Sequence, residues 1–167
     1  MITSFMIWLI AFLIGFFHEK TFDVFNHILK CGIFEPHNTS VLSGSKIFLN
    51  NTKLMLSNIS GLVSAGIPAI LNLAINGSIM GLFIKKAVTV KMSLLLIMKS
   101  TMPHFLEYVS LWITGSIGLH GISVFKNLLH GNIILKKQDL QKTFIVTCIC
   151  LVFTLIAAYV EAHFIGK

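Results

Sequence analysis

The chain has 167 residues, 55% of them hydrophobic and 11% charged, with a mean hydropathy of +0.86 and a formal net charge of +7. A soluble domain carries about 25% charged residues, so the composition excludes one and defines an integral membrane protein, at this length a single domain over residues 1–167. The basic charge does not mark a nucleic-acid binder: every basic residue is Lys, no Arg is present, and the lysines lie between apolar runs, where they orient helices in a bilayer.

Ile2 to Phe17 is an apolar run of borderline length for a span, stopped by His18-Glu19-Lys20. It lacks the basic start and small-residue cleavage site of a signal peptide and reads as a retained first helix. His18 to Ser45 forms the main polar connection. Within it Phe22, Phe25, Ile28 and Leu29 recur at helical spacing, as in a helix lying in the membrane interface, before Gly32, Pro36 and Asn38-Thr39-Ser40 break the pattern.

Lys46 to Ala65 and Pro68 to Ile84 read as two membrane helices joined by a tight Gly66-Ile67-Pro68 turn. Pro68 falls in the first turn of the second helix, where its missing N–H does no harm. Gly61 with Ala65, and Gly77 with Gly81, are spaced four apart and predict close helix packing.

Met92 to Gly121 holds the most expensive residues. Pro103, His104 and Glu107 sit in an otherwise almost entirely apolar stretch, and a carboxylate at membrane depth costs about 2.5–3.5 kcal/mol on insertion scales. His104 and Glu107 share a helical face, three residues apart, and Pro103 interrupts the backbone ladder just before them. Two arrangements fit: one long kinked helix, or a re-entrant hairpin broken at Pro103. The re-entrant pair places Lys85, Lys86 and Lys91 on the same side as Lys126, Lys136, Lys137 and Lys142, which the positive-inside tendency favours. Asp139 is positioned to cap the last helix, Thr143 to about Phe164, which carries Glu161 and His163 near its far end. The resulting fold class is an all-α membrane bundle of about five hydrophobic helices, one of them re-entrant.

The polar residues inside apolar segments are Asn50, Asn51, Lys53, Asn72, Asn76, Lys99, His104, Glu107, Glu161 and His163. The plain reading is structural: interhelical hydrogen bonds from the asparagines, a pair between Glu107 and Lys53 or Lys99, and a neutral His104 on a carbonyl freed by Pro103. The sharper reading is a metal site. His104 and Glu107 supply two ligands to a divalent ion such as Zn, Glu161 or His163 supplies a third, and the open position takes a water. Asn50, Asn51 or Asn76 would then orient that water or a substrate carbonyl. The chain has neither a Gly-rich phosphate loop nor a G-x-S-x-G elbow. Cys31, Cys148 and Cys150 read as reduced thiols.

These residues carry a resemblance. Phe48-Leu49-Asn50-Asn51, then Asn76-Gly77 with Gly81, then Pro103-His104 with Glu107, Gly115 and Gly118, then Ala157-Ala158-Tyr159-Val160-Glu161 together resemble the stage II sporulation protein M family of bacterial and archaeal membrane proteins, over about residues 46–164. Phe105 departs from the Gly that usually follows the Pro-His pair, and His163 is not a family feature. The resemblance implies a multi-pass protein of the bacterial cell membrane, with shared polar positions at Asn50, Asn51, Asn76, Pro103, His104, Glu107 and Glu161. The sporulation member is thought to help assemble a peptidoglycan-remodelling complex. Small members resemble those encoded beside ABC-transporter ATPases in circular-bacteriocin clusters, implicated in maturation, export or self-protection.

The first expectation is therefore a non-enzymatic membrane subunit working with membrane partners, an ABC-type ATPase among them, on a peptide or the envelope, alone or as a homo-oligomer. In it Glu107, Glu161 and Lys53 form a structural or gating core. The competing expectation is an intramembrane metal-dependent peptidase or cyclase using His104, Glu107 and Glu161.

Overall fold

The computed structural model describes residues 1–18, 44–131 and 137–165; the side chains of Pro103, Phe164 and Ile165 are outside the description. The expected interfacial helix of the polar connection, and Cys31, lie outside the described residues. Within them every element is helical: α1 (Ile2–Phe17), α2 (Gly44–Ser60), α3 (Ile67–Thr89), α4 (Leu94–Leu129) and α5 (Lys137–Ile165). Three segments are long and apolar enough to cross a membrane: Ile67–Thr89, His104–Leu129 and Lys137–His163. α1 is apolar but has only 16 residues.

α2 departs from expectation. It ends at Ser60 rather than Ala65, residues 61–66 are turns, and at 17 residues with Asn50, Asn51, Lys53 and Asn58 it is not among the span-forming helices. Ala65 consequently lies in the turn, at φ 51°, instead of on a packing face. Gly66 follows at φ 78°, a left-handed conformation that costs glycine nothing, and α3 opens with Pro68 in its first turn as the sequence predicts.

The stretch around Pro103 also differs from the re-entrant expectation. Leu94–Leu129 is one uninterrupted helix of 36 residues, about 54 Å at 1.5 Å per residue. Ser93 caps its start by accepting a hydrogen bond from the Leu96 N–H. Proline removes a ladder donor and crowds the carbonyl four residues back, yet the helix continues; packing holds it mainly after Pro103, where Ser110, Leu111 and Thr114 are buried, while before it Ile97 alone is buried and its neighbours are exposed. Lys91 therefore stands just before the start of α4 and Lys126 near its other end. α5 likewise starts earlier than expected, so that Asp139 lies inside its first turn rather than capping it.

Residue pairings set the helix directions. Asn51 with Glu107 and Asn58 with Thr114 make α2 parallel to α4. Ser4 with Trp112, Leu73 with Gly115, and Glu161 with His104 make α1, α3 and α5 antiparallel to it. α1 and α3 pack at backbone distance, because a Cβ on Gly77 or Gly81 would collide with the main-chain oxygen of Trp8 or Phe12. At the centre Trp8, Leu73 and Leu111 form the apolar core, with Tyr108 tilted and Trp112 edge-on against Trp8 at ring centroid distances of 5.3 and 5.4 Å.

Candidate functional site: a histidine–carboxylate cluster

The cluster is built from the first turn of the His104–Leu129 span and the last turn of the Lys137–His163 span. His104 and Glu107 are one turn apart on α4, and Nδ1 of His104 lies 3.1 Å from Oε2 of Glu107. The antiparallel α5 brings in Glu161, whose Oε2 is 3.7 Å from the same nitrogen. Small residues allow this approach: Ala157 and Ala158 are buried, and the start of α2 at Gly44 rests against Ala158 and Ala162. The Glu107 and Glu161 side chains are 15% and 12% exposed, whereas His104 is 36% exposed, so the cluster opens at the imidazole.

Glu107 is the hub. Its Oε2 faces His104, and its Oε1 accepts a hydrogen bond from the side-chain amide of Asn51 on α2. Glu161 is less well provided: its Oε2 is buried and receives no hydrogen bond among the described residues. An unpaired buried carboxylate oxygen is costly, and a cation shared with Nδ1 would offset that cost.

One ligand atom from each of His104, Glu107 and Glu161 lies within 4.8 Å of the others. Ligands about 2.1 Å from a tetrahedral ion stand about 3.4 Å apart, so the separations of 3.1 and 3.7 Å at Nδ1 already have that size. The donor set, one imidazole and two carboxylates, suits a divalent transition ion and leaves a coordination position open.

The other sequence candidates separate cleanly. Asn51 is in the cluster and Asn76 lines a cavity of about 30 Å³ beside it, together with Glu107, Tyr108 and Thr154. Asn50, Lys53 and Lys99 are exposed, as is His163. Helical geometry explains the division on α2: successive residues turn about 100°, so Asn50 and Lys53 cannot share the inward face of Asn51. The expected pairing of Glu107 with Lys53 or Lys99 is replaced by Asn51 and His104.

Asn58 was not anticipated. It is fully buried, donates to Thr114 Oγ1 at 3.2 Å and accepts from Asn72 at 3.0 Å, linking α2, α4 and α3. Its position seven residues after Asn51, hence on the same face, was the available signal. Tyr108 was also passed over, although it follows Glu107 directly.

The fold and the cluster define a helical membrane protein in which α4 and α5 meet in a histidine–carboxylate cluster. The chain belongs to the Stage II sporulation protein M family, which matches residues 2–164, nearly its whole length and including α1. No curated protein matches the chain, and no solved structure does.

Proposed function

We propose that this protein is a membrane-embedded, metal-dependent enzyme acting on peptide bonds, with His104, Glu107 and Glu161 holding one divalent ion such as Zn. The observation that carries this reading is the convergence of three ligand-type side chains from two helices, with a buried Glu161 oxygen that receives no hydrogen bond among the described residues. A bound ion of this kind supplies Lewis acidity and lowers the pKa of water. The chain's own residues do the rest. Asn51 fixes the rotamer of Glu107 from α2, as outer-shell partners of metal ligands do. Asn76 and Tyr108 place polar groups beside the reacting position, where they can orient a substrate amide. The exposed side of His104 gives substrate an entrance. Within this reading the substrate is a peptide processed in the bacterial cell membrane, in maturation of a bacteriocin-type product or in envelope remodelling during sporulation.

A second reading is supported by Glu107 itself, both of whose oxygens already have protein partners. In it the cluster is a polar clamp joining α2, α4 and α5 in a non-enzymatic subunit of a larger assembly, with an ABC-type ATPase, other membrane proteins or a second copy as partner.

Elemental analysis of the detergent-purified protein, prepared without chelators, separates the two. About one equivalent of a divalent ion per chain, lost in Glu161→Gln while the protein stays folded, is expected for the enzyme. Folded wild type free of metal would leave the clamp as the surviving reading.

A further inference from the structure

The cavity beside Glu107 is rich in hydrogen-bond acceptors, which the cluster does not explain. Asn51 donates its side-chain NH2 to the Glu107 carboxylate, and Asn76 donates its own to the main-chain oxygen of Asn72 at 2.8 Å. Neither amide can be turned over, because that would set oxygen against oxygen. What remains on each is the carbonyl oxygen and the second N–H of the amide. Thr154 is committed in the same way. Its hydroxyl donates to the Cys150 carbonyl at 2.9 Å, with the Met55 sulfur at 3.1 Å, which leaves only lone pairs. With the Glu107 carboxylate, four of the five polar side chains lining the cavity can accept, one of them with a negative charge, against the Tyr108 hydroxyl and one spare N–H on each asparagine as donors.

Such a cavity fits a hydrogen-bond donor bearing positive charge. A volume of about 30 Å³ matches a water-sized head. Leu54, Met55 and Leu111 form the rest of the wall, so one side suits carbon rather than a complete oxygen shell. A bare hard cation asks for oxygens all around, whereas a primary ammonium group asks for three acceptors and a methylene contact.

We propose that this cavity is a subsite for a primary ammonium group, the α-amino end of a peptide, with Asn76 and Thr154 as the residues that select it. The assignment of the amine to a peptide rests on the peptide-bond reading above; the ammonium chemistry does not. Glu107 is shared between subsite and cluster, which places the amine of a bound peptide next to the position where its first peptide bond would react.

The test uses the full-length protein in detergent and two probes, Ala-Leu-Ala amide with a free N-terminus and the same peptide N-acetylated. Binding is read by calorimetry, with and without added zinc. The free amine is expected to bind at least about tenfold more tightly, as for hydrogen bonds to a charged group. Asn76→Leu should erase that preference while zinc stoichiometry and melting temperature stay at wild-type values. Thr154→Val, which removes an acceptor at constant shape, should weaken the preference and serves if Asn76→Leu does not fold. Equal binding of the two peptides, no binding of either, or a preference that survives both substitutions overturns the subsite. Competition by potassium as effective as by methylammonium also overturns it, in favour of a simple cation site. A free-amine preference in protein that binds no zinc would retain the subsite and sink the metalloenzyme; zinc binding without the preference would do the reverse.

Discussion

Asn51 on α2 and Glu107 on α4, 56 positions apart, share a hydrogen bond that ties a short polar helix to the histidine–carboxylate cluster. Removing it should loosen the cluster without deleting a ligand. Asn51→Leu is expected to lower zinc affinity about 10–100-fold, the usual effect of losing an outer-shell partner, as measured by competition against a chromophoric chelator. An unchanged affinity would mean that Glu107 needs no help from α2.

The ligands themselves should be more sensitive. Glu107→Gln keeps an oxygen for Asn51 but removes the charge facing His104, so metal content should fall below that of Asn51→Leu while helical content by circular dichroism is preserved. Loss of the folded protein instead would assign Glu107 to the clamp.

Asn58 should be a stability residue. Asn58→Leu leaves Thr114 and Asn72 without their partner in a buried setting, which costs about 1–3 kcal/mol per unsatisfied group. Asn50→Leu, at an exposed position on the same helix, should stay within about 0.5 kcal/mol of wild type. Thermal unfolding in detergent, followed by intrinsic tryptophan fluorescence, compares the two directly.

Gly118 tests the helix packing. A Cβ there would collide with the Asn58 main-chain oxygen and stand 2.8 Å from the Ala69 Cβ. Gly118→Ala should therefore destabilise by about 1–3 kcal/mol, in the range for overpacking. A neutral result would show that α2 and α4 can part at this level.

A single membrane crossing by the continuous α4 would have its own signature. With Cys31, Cys148 and Cys150 replaced by Ser, Lys91→Cys and Lys126→Cys should react with a membrane-impermeant maleimide from opposite sides of sealed vesicles. Labelling from one side would restore the re-entrant hairpin.

Much of this was legible before the coordinates. Gly66 and Pro68 marked the turn between α2 and α3, and Gly77 with Gly81 marked the face on which α1 packs. His104, Glu107 and Glu161 stood out because ionisable groups are expensive in apolar segments. The path through Pro103 was not legible. Local chemistry there permits either a break or a continuous helix, and the lysine count favours the break, yet α4 runs through it, anchored chiefly by the buried residues that follow. Spacing puts Asn51 and Asn58 on one face of α2 and Lys53 on another, but it does not say which of the two faces turns inward. Those outcomes depend on which face meets which neighbour.

The antiparallel docking of α5 gives the cluster a place in time. Glu161 is synthesised about fifty residues after Glu107, several seconds later at about 5–20 residues per second. Until that last helix is inserted, His104 and Glu107 have no third partner. If the cluster is the proposed metal centre, a nascent or prematurely terminated chain would be chemically silent, and only a protein whose final helix has docked would acquire the complete ligand set.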